Sequence, residues 1–176
     1  MGCKCGSQGI LCNLPVRFDT YKVCSHGCKY CFAQKKQNIA KIQRDESVEA
    51  LRSFIEGKRG RETAWCDWNI PIHWGGMSDP FQPIEKNIRA SYECLKLLAE
   101  TRYPFVVSTK GRLVVDPEYL DLLEKSNCVV QISMVCSKYD PLEPGTPPYE
   151  ERLKMVETLA HRVQRVIVRV QPYMPE

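Results

Sequence analysis

The chain has 176 residues, 43% of them apolar and 26% charged, with a formal net charge of +4. That is about one domain's worth of sequence, apolar enough to build a core and too evenly mixed for a disordered or collagen-like polypeptide. No apolar run approaches the roughly 18–20 residues that span a bilayer. Met1-Gly2-Cys3-Lys4-Cys5-Gly6 lacks the charged-then-apolar order of a secretory leader, so the expectation is a cytoplasmic protein.

Ten cysteines are many for this length, and six of them fall within the first 31 residues. In a reducing compartment such a cluster points to metal rather than to disulfides. Cys3, Cys5 and Cys12, interleaved with glycines, form a cysteine-rich lead-in over residues 1–15. It reads as an auxiliary zinc or iron–sulfur knuckle in need of a fourth ligand, with an untethered terminus bearing free thiols as the alternative. Residues 16–176 read as one core.

Val16–Lys22 reads as a first strand. Ser47 caps a helix over Val48–Glu56, which Gly57 stops. Asn69–Trp74 is a strand running into Gly75-Gly76, and Asn87–Glu100 repeats apolar residues at helical spacing. Phe105–Ser108 is a short buried strand, and Asp116-Pro117 opens a helix over Glu118–Lys125. Cys128–Met134 is a strand, Thr146-Pro147 starts a helix to about Arg162, and Arg165–Val170 is a strand stopped by Pro172. Strands and helices alternating at about 30 residues per unit predict right-handed crossovers and a parallel α/β sheet. The pattern closes after the fifth strand, so the expectation is an incomplete barrel or curved open sheet. The last βα unit would be missing or supplied by a partner chain.

Two basic stretches, Lys35, Lys36, Lys41 and Arg44, and Lys58, Arg59 and Arg61, read as solvated surface that tolerates a phosphate-bearing substrate without demanding one. Trp65, Trp68, His73, Trp74 and Asp79 gather around the second strand. Aromatics there can stack on bases, but core and rim packing is the more ordinary use.

The sharpest signal is Val23-Cys24-Ser25-His26-Gly27-Cys28-Lys29-Tyr30-Cys31-Phe32, a C-x3-C-x2-C spacing. Three thiolates within eight residues can wrap one inorganic cube and leave its fourth iron open to a small ligand. Zinc, the competing reading, prefers paired C-x2-C halves and four protein ligands. His26 reads as a packing or hydrogen-bonding residue of the loop rather than a ligand.

The string from Thr20 to Ala33 resembles the radical S-adenosylmethionine (SAM) superfamily, in its spore photoproduct lyase and DNA-repair-photolyase-like branch. Further segments are similar to that branch: Gly76 to Pro83, Ser108-Thr109-Lys110, Gln131-Ile132-Ser133, Leu142 to Thr146, Glu151-Arg152-Leu153, and Val168 to Pro175. The resemblance implies a partial (β/α)6 barrel with its site at the C-terminal strand ends. It implies a [4Fe–4S] cluster on Cys24, Cys28 and Cys31, and SAM bound at the open iron and cleaved reductively to a 5′-deoxyadenosyl radical. Phe32 would lie near the adenine, and Gly75 and Gly76 would let the backbone meet the methionyl amine. Lys110 would reach the SAM carboxylate, Ser133 the ribose or carboxylate, and Gln171 the adenine through its backbone. An electron donor such as flavodoxin or ferredoxin and a nucleic-acid substrate follow from the same resemblance. A peptide or small-molecule substrate, or a zinc-binding nucleic-acid or scaffold module, are the rival readings. Where the branch carries a hydrogen-donating cysteine before its Ser-Asp pair, this chain has Met77, and Cys136, expected as a small buried hydrophobe, is the nearest substitute.

Overall fold

Five strands lie in the order of the chain, every neighbouring pair parallel. They are β1 (Val16–Phe18), β2 (Ile72–Trp74), β3 (Phe105–Thr109), β4 (Cys128–Met134) and β5 (Arg165–Val170). With an order that never reverses, the right-handed crossovers that parallel strands follow as a rule place the connecting helices on one face of the sheet and leave the other face inward. The computed structural model describes residues 14, 16–33, 47–61, 63–66 and 70–174. The predicted sites and segments at Cys3, Cys5, Cys12, Lys35, Lys36, Lys41, Arg44 and Trp68 lie outside the described residues.

The helix-facing side is the core. Val16, Phe18, Ile72, Trp74, Phe105, Val107, Val130 and Ile132 are buried there, together with Leu51 and Phe54 of α1 (Val48–Ile55). Leu95 and Leu98 of α3 (Ala90–Thr101), Tyr119 and Leu123 of α4 (Pro117–Lys125), and Met155 and Leu159 of α5 (Tyr149–Ala160) complete it. Trp74 is its centre, with ring centroids 6.0 Å from Phe18, 5.8 Å from Phe81 and 6.0 Å from Phe105, and its indole N–H donates to Thr20 Oγ1 at 2.7 Å. A buried aromatic of this size is worth about 3–5 kcal/mol against alanine.

The inner face is polar. Parallel strands covered on both sides read as continuous apolar runs, whereas β4 alternates buried and half-buried residues along its whole length. Arg17, His73, Gln131 and Ser133 occupy the half-buried positions, and register sets Ser108 beside Gln131 and Ser133 beside Arg169.

Element types match the sequence reading, with boundary differences that have local causes. Ser47 caps α1, its hydroxyl accepting from Ala50 N at 3.1 Å. The helix expected over Asn87–Glu100 is two: α2 (Glu85–Ile88) ends at Arg89, whose φ of 54° breaks it before α3. The buried Glu85 carboxylate forces the break by accepting from Ser91 N and Tyr92 N at the start of α3, at 3.0 and 2.8 Å. Arg89 is held by a two-pronged pair with Glu118 at 2.9 and 2.8 Å. Helix α5 starts three residues after Thr146, at Tyr149, whose N–H donates to Asp140.

Candidate functional site

The three motif cysteines sit on a loop that leaves β1 at the C-terminal edge of the sheet. Gly27, at φ +64°, supplies the left-handed residue the turn between Cys24 and Cys28 requires, and Cys31 N donates to Cys28 O at 3.0 Å. Distant segments pin the loop on both sides. Ser25 N donates to Gln82 Oε1 at 2.7 Å, and Gln82 Nε2 donates to Val23 O at 3.0 Å. Lys29 N donates to Leu142 O at 2.8 Å, and Gly145 N donates to His26 O at 2.9 Å.

His26, 2% exposed, is enclosed within the loop. Its Nδ1 lies 2.7 Å from Gly145 O, and its Nε2 lies 3.1 Å from Asp79 Oδ2 as an ion-pair contact rather than an aligned hydrogen bond. A carbonyl only accepts, so Nδ1 carries a proton. Burial alone would lower the His26 pKa, but Asp79 holds it above the ordinary value. Burial alone would raise Asp79, yet His26, the Lys110 N–H and the Thr109 hydroxyl hold it below the usual carboxylate range. Asp79 thus joins the cysteine loop to the end of β3.

A second buried network lies on the other side. The Glu143 carboxylate takes the Tyr30 hydroxyl, the Lys110 ammonium and the Arg152 guanidinium. Arg152 also donates to Ser133 O at 3.0 Å. On the β1 side, Asp19 Oδ1 accepts from Met77 N and Ser78 N at 2.8 and 3.2 Å.

All nine predicted site residues border one cavity of about 640 Å³ at the strand ends. Cys24, Cys28 and Cys31 form one wall, with Phe32 beside them, 58% exposed. Phe32 is therefore not a core aromatic. Gly75, Gly76, Lys110, Ser133 and Gln171 form the rest, joined by Met77, His73 and Arg169. Gly75 has φ +88°, and a Cβ there would stand 2.5 Å from Ser108 O and 2.9 Å from Pro80 Cδ, so the fold itself requires glycine at this turn. Lys110 Nζ also lies 3.5 Å from Gln171 O, and burial lowers its pKa.

Cys136 is exposed and does not border the cavity, which corrects the expectation of a small buried hydrophobe; it begins a 3₁₀ turn over Ser137–Leu142. Cys66, Cys94 and Cys128 are buried in the core. Of the aromatic group around β2, Trp74 is core and Trp65 is 52% exposed.

The three motif thiols share the cavity wall. Among the described residues, no three His, Cys, Asp or Glu side chains are gathered as ligands of one ion would be. Burial pushes the Cys24 thiol up to about 12, with Asp79 adding to it, and the Cys28 thiol up to about 11. Any metal bound by these sulfurs would have to displace their protons.

Glu143, Arg152, Arg169 and the inner-face His73, Ser108 and Gln131 were not picked out by sequence as site residues. Glu143 and Arg152 sit in a loop and a charged helix start, where solvated side chains are the rule, and no local signal marks them as buried partners.

Among the described residues, no helix is long and apolar enough to cross a membrane. No family model matches the chain. An uncharacterized protein of Methanocaldococcus jannaschii is 23% identical over 170 residues, covering 89% of this chain and 59% of that protein. One of Mycobacterium tuberculosis is 25% identical over 176 residues, covering 93% of this chain and 51% of that protein. The chain thus spans about half the length of the curated relatives it matches. Among solved structures, a spore photoproduct lyase variant with bound AdoMet and dinucleoside spore photoproduct superposes with a TM-score of 0.70 at 18% identity, covering 93% of this chain and 47% of that one. Another spore photoproduct lyase complexed with dinucleoside spore photoproduct gives 0.67 at 18% identity, covering 89% and 45%. This likeness shows the fold: a parallel α/β sheet of the partial radical SAM barrel type.

Proposed function

We propose that this chain forms the cofactor-bearing part of a radical SAM iron–sulfur enzyme acting on nucleic acid, with Cys24, Cys28 and Cys31 as the protein ligands of a [4Fe–4S] cluster. The observation that carries the reading is the convergence of three thiols of one short loop with Gly75, Gly76, Lys110, Ser133 and Gln171 on a single cavity at the C-terminal strand ends. Held by these three cysteines, the cluster would supply the one-electron chemistry for reductive cleavage of SAM and so for hydrogen abstraction from substrate.

The chain's own residues hold and shape that site. Gln82 and the 142–145 segment fix the loop backbone, so the thiols need little ordering when metal arrives. The Phe32 ring offers an exposed face for the adenine, and the Ser133 hydroxyl a hydrogen bond to ribose or carboxylate. Lys110 first serves the loop, since its ammonium is already held by Glu143 and Tyr30 Oη, and from that place it faces the SAM carboxylate. Nucleic acid as substrate is supported by neighbours whose names state a bound dinucleoside spore photoproduct. The final hydrogen transfer differs from theirs: Met77 borders the cavity where the branch carries its donor cysteine, and a thioether has no S–H to give. A flavodoxin or ferredoxin is the proposed electron source.

The test is anaerobic reconstitution with iron and sulfide, followed by electron paramagnetic resonance of the reduced protein with and without SAM. The expected result is a brown protein whose cluster signal changes when SAM is added. Colourless protein carrying zinc on these cysteines, or a cluster signal indifferent to SAM, would overturn the proposal.

A further inference from the structure

Deeper on the inner face, three side chains from adjacent strands form a hydrogen-bonded chain whose polarity is fixed. The Gln131 Oε1 carbonyl can only accept, so the Ser108 hydroxyl, 2.9 Å away, donates to it. Ser108 Oγ then accepts from His73 Nε2, also at 2.9 Å. The proton of His73 is thereby placed on Nε2, and Nδ1 is left as a bare acceptor. It lies on the Gly76 side, 3.8 Å from where a Cβ on that glycine would stand, and has no partner among the described residues. Burial, with Arg169 and Arg17 adding their charge, lowers the His73 pKa and keeps the ring neutral.

The two guanidiniums are not equivalent. Arg17 is already paired, its Nε 2.6 Å from Asp19 Oδ2. Arg169 borders the cavity and pairs with no acidic side chain among the described residues. Lys110, the other cation on the cavity wall, shares its charge with Glu143 even where it faces SAM. The free positive charge of the chamber therefore stands at Arg169, next to Ser133 in register and close enough to His73 to shift its titration.

We propose that Arg169 and His73 form a two-point recognition site within the chamber: the guanidinium takes an oxyanion, and His73 Nδ1 accepts a hydrogen bond from an N–H or O–H of the same ligand. The oxyanion is a carboxylate, as on SAM, or a phosphate, as on a nucleotide substrate. The site rests on the proposed function only in taking the cavity as the ligand chamber. Arg's planar fork suits either anion two-pronged. His73 is a positioning residue, its imidazole oriented through Ser108 and Gln131.

The test is equilibrium binding to the reconstituted protein, measured by calorimetry with two probes, SAM and a thymidine dinucleotide. Arg169→Gln is expected to weaken one probe about tenfold or more, as loss of a charged hydrogen bond does. His73→Gln puts an amide N–H where Nε2–H stood, keeping the bond to Ser108 while removing the Nδ1 acceptor. It is expected to weaken the same probe roughly three- to tenfold with no change in thermal melting. The probe that responds identifies the source of the oxyanion. Wild-type affinities retained by both variants would overturn the two-point site while leaving the chamber standing. Effects of the two variants on different probes would also overturn it. Wild-type protein that binds neither probe would remove the chamber and the site together.

Discussion

Replacing Glu143 with alanine tests the central electrostatic claim about this site. The Glu143 side chain is fully buried, Arg152 beside it is fully buried, and Lys110 is 14% exposed. Removing the carboxylate leaves the Arg152 guanidinium in the interior with its Nε already unpartnered, and takes the acceptor from the Tyr30 hydroxyl. Deleting one member of a buried pair costs about 3–5 kcal/mol, because the remaining charge loses its compensation. The lower end is expected, since Asp140 Oδ1 stands 3.4 Å from Arg152 and can close in. In a domain of this size each kcal/mol lowers the melting temperature by roughly 2–4 °C, so a fall of about 6–12 °C follows. Replacing both charges together, Glu143→Leu with Arg152→Met, should cost less than Glu143→Ala alone, because no buried charge is orphaned. Urea unfolding followed by far-ultraviolet circular dichroism reads both. A loss under about 1 kcal/mol for Glu143→Ala, or a double variant less stable than the single one, would refute the pair as a buried compensated charge.

Two further predictions concern single side chains. Alkylation of the metal-free native protein, mapped by mass spectrometry, should modify the exposed Cys136 well before Cys94 or Cys128, which are buried, the latter with its thiol pushed up to about 12; early labelling of Cys128 would contradict the packing under β4. Because the folded pKa of His73 lies below the ordinary histidine value, the unfolded chain takes up its proton first as pH falls. His73 therefore makes stability drop through the ordinary histidine range toward its folded pKa, and His73→Gln should flatten that part of a stability-against-pH profile; an unchanged slope would show that His73 does not titrate as described.

Much of the fold was legible because the sheet is regular. Cys128–Met134 and Arg165–Val170 are strands over the bounds read from the chain, the second followed by Pro172. Ser47 was legible as a cap because its role is local. Arg89 was not, because the break between α2 and α3 is set by Glu85 gathering the Tyr21 and Tyr119 hydroxyls as well as two backbone N–H groups, a tertiary arrangement with no sequence signature. The motif cysteines are marked by their spacing, and the strand-end residues that border the same cavity by resemblance alone. Their supports could not. Glu143 is 113 residues from Tyr30, and Gly145 is 119 from His26, so a window of sequence sees only an acidic loop and a charged helix.

Those long separations bear on how the cysteine loop comes into being. As the polypeptide emerges from the ribosome, Cys24, Cys28 and Cys31 appear early, yet the carbonyl of Leu142, the amide of Gly145 and the carboxylate of Glu143 arrive more than a hundred residues later. Closing contacts so far apart is slow relative to local turns. Iron delivered before then would meet three thiols without walls around them, whereas iron delivered after α5 has docked would meet a finished mould. For the metal site proposed here, the walls of the loop are therefore among the last parts of the fold to form.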